Sequence, residues 1–315
     1  MVTQNPTDHA GRTDERPFSE RLQHFVNGTF VRSLPFWGIP FLLMGSAVYA
    51  GIGWNVLISL TDYEGLASAS YSQLDFEMYA RAFGSSTFWT AAQNTFVLLV
   101  AFTVICLVLG LALAVLLDRN IRYSESVQTI YVLPMALSFV ITAQLWLWMY
   151  NPDSGLVNLA IKTLGLSSID FLGNPKFALA AVIFALVWQF SGYAMVVYLA
   201  GLRSIPTSQF EAGKIDGAST ARIYLRIIIP QLRASSVSAA VVLMVFALKA
   251  FTFLYSLTGV FRPPNGTDIL ATLMVRRAFK YTEWAYGAAI ATMLLLLALG
   301  VIAPYLYYQH KHGSL

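Results

Sequence analysis

Residues 209–235 read QFEAGKIDGASTARIYLRIIIPQLRAS. Four cations, Lys214, Arg222, Arg226 and Arg233, and two anions, Glu211 and Asp216, crowd into this one stretch. The runs on either side, 177–202 and 236–260, hold a single charged residue between them, Lys249. Each run is longer than the about 20 residues with which a helix crosses a ~30 Å hydrocarbon core. The charged stretch, about 203–235 with its approaches, is much longer than a turn between two spans requires. Its pattern is that of two short helices. Pro206 suits a first helical position, Ser204 can cap, and Ser208 with Glu211 has capping-box spacing. Asp216-Gly217 breaks the helix, because glycine admits backbone angles closed to other residues. ASTARIYLRIII then resumes it, with Arg222 and Arg226 on one face and Ile223 and Ile227 on another, until Pro230 ends or bends it. By spacing alone, such a segment could also be an amphipathic loop resting on lipid headgroups.

Working outward, six apolar segments can span a bilayer: 34–60, 88–117, 127–150, 177–202, 236–260 and 285–308. None alternates as a membrane strand does, and in lipid each span satisfies its own backbone hydrogen bonds by being helical. Composition agrees: 57% of the 315 residues are hydrophobic and only 11% are charged, against about 25% charged in soluble domains. The fold class read from the residues is an all-α membrane protein, a six-transmembrane-helix bundle with a helix-turn-helix loop after the fourth span. Of the 20 Lys and Arg residues, twelve fall on one side of this topology, seven on the other, and Lys249 within a span. The positive-inside rule puts both termini and the 203–235 loop in the cytoplasm. The net charge of +4 is then a membrane-topology signal and does not point to nucleic acid. The organisation expected is a cytoplasmic tail (1–33), a first span (34–60), a core (85–308) holding the loop, and a short cytoplasmic tail (309–315). PFSERLQHFVNGTFV, 17–31, could lie as a helix on the membrane surface.

The outer loops are expected to be compact. TDILATLMVRRAF, 267–279, is too short to span and is expected to lie at the interface or re-enter partway. Asn265-Gly266-Thr267 is a formal glycosylation sequon. Cys106 is the one cysteine, so no internal disulfide forms, no cysteine metal site is supported, and the thiol is expected simply to pack. The four histidines lie at 9, 24, 310 and 312, in the tails. A membrane enzyme needs such groups clustered near a bilayer face. A secondary transporter or channel, the alternative class, commonly shows internal repeats or buried carboxylates, and no span here carries Asp or Glu. The AGK of 212–214 is no phosphate-binding loop. That motif needs Gly five positions before Gly213 and Ser or Thr after the Lys, where Ser208 and Ile215 stand.

The stretch 211–230 resembles the EAA signature of the permease subunits of bacterial and archaeal ABC importers. That pattern is Glu-Ala-Ala, three residues, Gly, nine residues, Ile, one residue, Leu, Pro. Glu211, Ala212, Gly217, Ile227 and Pro230 match it, while Gly213 stands for the second Ala and Ile229 for Leu. Gly213 is expected to weaken its helix by up to ~1 kcal/mol relative to Ala. QNTFVLLV in the second span, YVLPMALSFVITAQLWLWMYNPDSGLVN, WQFSGYAMVVYLAGLRSIP and the LTG of 257–259 extend the likeness over about 85–308. It is nearest the maltose/glycerol-phosphate type of carbohydrate-uptake permease, which has an extra amino-terminal span. The resemblance implies a type I importer permease fold with no catalytic residue and no metal in this chain. It implies ATP and Mg bound by two separate ABC ATPase subunits, a second homologous permease, an extracytoplasmic solute-binding protein and a sugar substrate, in the plasma membrane. It also implies that the two-helix loop docks into a cleft on the ATPase, through Glu211, Ala212, Gly213, Asp216 and Gly217.

For the substrate pathway, Lys249 is the one charged side chain within the spans. A charge there costs at least ~2.5–3.5 kcal/mol and by default faces a polar cavity or a partner. In the family, Lys here is often followed three positions on by Asp, which is Thr252 in this chain. Gln189 and Tyr193 add polar groups, and Phe246 and Phe251 add faces suited to sugar rings. Asn94, Gln144 and Asn151 are candidates for helix–helix hydrogen bonds.

Overall fold

A computed structural model describes residues 29–66, 69–72, 74–118 and 124–311. The surface helix expected at 17–31 lies outside them, except for its last three residues, which open the first helix. Contacts divide the chain into two units, one ending at Trp54 and one starting at Asn55. The first unit holds most of α1, Thr29–Ser59, which runs through Pro35 and Pro40. Phe36, Phe41, Leu42 and Met44 are exposed on it, and a helix apolar on all sides needs a nonpolar surrounding.

The second unit continues with α2 (Glu77–Phe83), α3 (Ser86–Asp118), α4 (Ser124–Val132), α5 (Phe139–Met149), α6 (Leu156–Thr163) and α7 (Ala178–Arg203). After these come α8 (Thr207–Ile215), α9 (Thr220–Ile223), α10 (Arg233–Leu248), α11 (Phe251–Thr258), α12 (Leu270–Val275) and α13 (Trp284–Lys311). No strand occurs among the described residues. Among the described residues, four helices are long and apolar enough to cross a bilayer, and two bent pairs raise the number to six if each counts as one span. The fold is the expected helical membrane bundle, with two of the expected spans broken.

The central axis is α3 against α7, and small residues set its spacing. A Cβ on Gly110 would lie 2.4 Å from the Ala194 Cβ, so the two backbones approach as only small residues allow. Around this seam lies a core that includes Phe102, Trp146, Phe190, Leu243 and Phe253. Cys106 is fully buried within it.

The third span, expected as one helix over 127–150, is two helices at 102°. A 3-10 turn, Leu133–Ala136, carries Pro134 in its first positions, where the missing N–H and fixed φ end α4. Ser138 then caps α5, its Oγ accepting from the Ile141 N–H at 3.3 Å. The fifth span, expected as one helix over 236–260, also fails to run through. The N–H of Lys249 is shared between the Val245 and Phe246 carbonyls, both at 3.2 Å, and a new helix starts at Phe251. The break lets α11 pack against α5, where the Gln144 Nε2 donates to the Ser256 carbonyl at 2.7 Å.

At the end of the bundle carrying 61–87 and 259–283, the loops are tied together. Arg81 donates to Glu64 at 3.0 Å and to Glu283 at 2.9 Å, and Arg277 donates to Glu283 at 3.0 Å. Burial pulls the Arg81 pKa down, but the bond to Glu64 and the charge of Glu283 outweigh it and hold the guanidinium above its ordinary value. The short apolar piece does not span. Leu270 and Leu273 of α12 are buried against Phe88, Tyr286 and Ile290. Beneath it, Arg276 and Asp268 form a buried two-armed ion pair, 3.0 and 2.7 Å. The Thr272 hydroxyl and the Phe261 carbonyl complete the pair's hydrogen bonds. A buried pair of this kind fixes geometry because neither charge can be left alone.

Candidate functional site

At the other end of the bundle, α8 and α9 form a knuckle. The helix starts at Thr207 with Pro206 as its N-cap and no side-chain cap, so the expected roles at its start change. The Ser204 Oγ donates back to the Gly201 carbonyl at 2.7 Å. Ser208 is already inside the helix, where it cannot form a capping box with Glu211. The corner is a Schellman motif. The Ala218 N–H donates to the Gly213 carbonyl and the Gly217 N–H to the Lys214 carbonyl, both at 3.0 Å, with Gly217 at φ +71°. Only glycine takes that left-handed position without strain. Ser219 then caps α9 by accepting from the Arg222 N–H at 3.4 Å.

Gly213 is buried on the inner side of this corner. A Cβ there would stand 2.9 Å from the Ile223 Cγ1 and 3.1 Å from its Cδ1. The glycine therefore seats one helix on the other, a role beyond the propensity it sacrifices. Arg222 and Arg226 are exposed while Ile223 is buried, the two faces expected from the pattern. Beyond α9 the chain passes through a π turn, Tyr224–Ile228, and bends by 64° at Leu232, just after Pro230.

The knuckle is bolted to the spans. Ile223, Tyr224, Ile228 and Leu232 share one core with Met195, Tyr198 and Leu202 of α7 and Ala114 and Leu117 of α3. Phe210 packs edge-on to Tyr224 at 5.5 Å. The Tyr224 hydroxyl donates to Asp118 at 2.6 Å, and Gln231 donates to Gln209 at 2.7 Å. Glu211, Ala212, Lys214, Ile215, Asp216 and Gly217 stay exposed. Thus four of the five predicted coupling residues lie on one outward knob and the fifth, Gly213, lies beneath it. A force on that knob reaches α3 and α7 through packed side chains.

The predicted pathway residues gather around the two breaks, with different roles. Gln189 is 1% exposed, and its Nε2 donates to the Leu137 carbonyl at 2.8 Å. It thereby satisfies the break in the third span from α7, while its Oε1 has no partner. Phe246 stacks on Phe190, centroids 4.6 Å apart, and Phe139 touches both, at 6.4 and 5.7 Å. Tyr193 is half-buried. Phe251 stacks on Tyr255 at 5.6 Å. Lys249 sits at the joint between α10 and α11, exposed, with no ion-pair partner among the described residues. Asn94 and Gln144 make the expected bonds between elements, to the Asp268 and Ser256 carbonyls. Asn151 does not. Its Oδ1 accepts from the N–H groups of Asp153 and Ser154, a turn of its own making.

Sequence reasoning missed Phe139, Ser219, the Tyr224–Asp118 bond and Gly192. Pro134 was a visible signal for the break beside Phe139, and a serine after Asp-Gly was one for Ser219. Nothing local marks the other two, which exist only between elements. Asp62, Asp75 and Glu77 form the one group of possible metal ligands within 4.8 Å of one another among the described residues, and all are exposed. Exposed carboxylates alone do not make a site.

Residues 106–311 match the family described as binding-protein-dependent transport system inner membrane component. The chain is 67% identical to the xylose/arabinose import permease protein XacH of Haloferax volcanii, covering 100% of both chains. It is 31% identical to the trehalose/maltose transport system permease protein MalF of Thermococcus litoralis, over 72% of this chain and 77% of that one. Among solved structures, it resembles a chain of a bacterial alginate ABC transporter in complex with its periplasmic protein. The TM-score is 0.76 at 22% identity, covering 94% of this chain and 98% of that chain, a likeness of fold.

Proposed function

Because the chain belongs to the family of binding-protein-dependent transport system inner membrane components, we propose that it is the transmembrane permease subunit of an ATP-driven importer of small sugars, pentoses such as xylose and arabinose. The observation that carries this reading is identity of 67% along the full length of a xylose/arabinose import permease.

The chain supplies half of a pathway, with a second homologous permease as the other half. Two ABC ATPase subunits bind ATP and Mg, and an extracytoplasmic binding protein delivers the sugar. Both termini and the α8–α9 knuckle face the cytoplasm. The exposed knob, Glu211 with Ala212 and the Asp216-Gly217 corner, seats in a cleft of an ATPase. Glu211 pairs there with a basic side chain, and Gly213 keeps the knob rigid by close packing on Ile223. Closure of the ATPases moves the knuckle, and its core with α3 and α7 carries that motion into the spans. Such coupling draws on contacts that differ between two states.

Gln189, Tyr193, Phe246, Lys249 and Phe251 belong to the pathway. The two breaks put helix ends near the stacked aromatics, and non-helical backbone at membrane depth is tolerated where it is buried in protein or lines a cavity. Lys249, with no ion-pair partner among the described residues, faces the pathway or the second permease.

The test is co-purification with the proteins of the transport system, followed by ATPase assays with a panel of sugars and the loaded binding protein. Stimulation by pentoses is expected. A purified single chain that moves sugar without ATP or partners would overturn the reading. Glu211→Lys is expected to leave the complex's spans assembled and uncouple uptake, and normal uptake in that variant would count against docking.

A further inference from the structure

Between the start of α3 and the loop before α12 lies an open cavity of about 530 Å³, lined by no residue of the aromatic cluster or the knuckle. Thr87, Thr90 and Asn94 recur along one face of α3, and Ser86 stands at its first residue. Arg262 and Asn265 come from the loop opposite. These groups hold unspent hydrogen-bonding capacity. The side chains of Ser86, Thr87 and Arg262 have no partner among the described residues. Asn94 and Asn265 each donate one amide N–H, to the Asp268 and Leu172 carbonyls at 2.8 Å, and their side-chain oxygens have no donor among the described residues. The wall behind is the opposite case. Asp268 is saturated by Arg276 and Thr272, and Pro263 and Pro264 stiffen the lip. A rigid rim thus presents free donors and acceptors to a space sized for a small molecule.

We propose that this cavity is a receiving site for a neutral sugar of one or two rings, occupied between release from the binding protein and entry into the spans. The inference rests on the importer reading above, which puts this end of the bundle on the outer side. A polyol uses donors and acceptors together, and the rim offers both. An anion gains little here, because Asp268 and Arg276 neutralise each other and Arg262, the one cation lining the cavity, is exposed to water that screens it. No aromatic side chain lines the space, so no ring platform adds to the hydrogen bonds. Binding is therefore weak and quickly reversed, which suits a handover because a tight site would trap the sugar.

Cys106 is fully buried, so a cysteine introduced at the rim is the one accessible thiol of this chain, and labelling is read on the band of this chain alone. Thr87→Cys, assembled with the second permease and the ATPases in sealed vesicles of known orientation, is treated from the outer side with a membrane-impermeant maleimide. The arms contain no addition, D-xylose, L-arabinose, glycerol, or unloaded binding protein. Labelling from outside is expected, slowed about tenfold by either pentose at ten times its half-protecting concentration and unaffected by glycerol. Ser86→Cys repeats the test if Thr87→Cys does not assemble.

If the vesicles import pentoses but neither pentose slows labelling, the receiving site is overturned while the importer stands. Protection by unloaded binding protein and not by sugar also overturns it, in favour of protein docking. Labelling only from the inside, or a parent complex that imports no sugar, overturns the importer reading and this inference with it.

Discussion

Gly192→Ala is the substitution whose outcome the structure fixes most firmly. Gly192 lies on α7 beside the broken third span. An added Cβ would stand 2.0 Å from the Tyr131 carbonyl oxygen, 2.8 Å from its carbon and 3.2 Å from the Val132 Cα, all backbone atoms. Ordinary contact begins at 3.4 Å, so α4 and α7 must separate by the difference, about 1.4 Å. No rotamer relieves this, because no side chain is in the way. The same shift pulls Leu137 from Gln189, whose 2.8 Å bond closes the break one turn away on α7. Overpacking costs about 1–3 kcal/mol, and a buried amide that loses its bond costs about 1 kcal/mol more. The total, about 3 kcal/mol, lowers the melting temperature by about 4–5 °C in a chain of this size.

Gly201→Ala is the control. Its Cβ would meet the Ser235 Oγ at 2.4 Å and the Leu232 Cδ2 at 3.0 Å, side-chain atoms that can swing aside. Thermal unfolding of the detergent-solubilised chain, read by tryptophan fluorescence, compares the two. A Gly192→Ala chain that melts within about 1 °C of its parent, or no lower than Gly201→Ala, refutes the claim that this backbone contact holds the break in place.

Asp268→Ala strands the Arg276 guanidinium, which is 3% exposed. It is expected to cost about 3 kcal/mol and to open 261–280 to proteolysis at Arg262 and Lys280, monitored in outward-accessible vesicles. Gly213→Ala gains up to ~1 kcal/mol of helix propensity but collides with Ile223, so it is expected to speed trypsin cleavage after Lys214. In an Ile223→Ala background the collision is gone and the same change is expected to slow cleavage. Equal effects in both backgrounds would remove Gly213 from its packing role.

The cuts that sequence reading made well are those governed by short-range rules. Asp216-Gly217 announces the knuckle's corner because a left-handed residue is needed there and glycine supplies it. Arg222 and Arg226 point outward and Ile223 inward because helical spacing allows nothing else. Three of the failures share a different cause. Lys249 sits in a run with neither Pro nor Gly nearby, so the break there has no local cue and follows from the fit of α11 against α5. Gly213 reads as a weakness from propensity alone, and its value appears only once Ile223 is 2.9 Å away. Asn151 could bond across helices or within its own turn, and spacing cannot choose between them.

By itself, the sequence determined that this chain lives in a bilayer as helices and that a charged two-helix knuckle stands between apolar segments. Those facts follow from the cost of exposing backbone and charge to lipid, which depends on each segment separately. The tertiary structure alone decided where spans break, which glycines are spacers, which polar groups are used up inside the fold and which remain free to meet a ligand. Each of these depends on what stands opposite in space, and a residue far away in the chain supplies it.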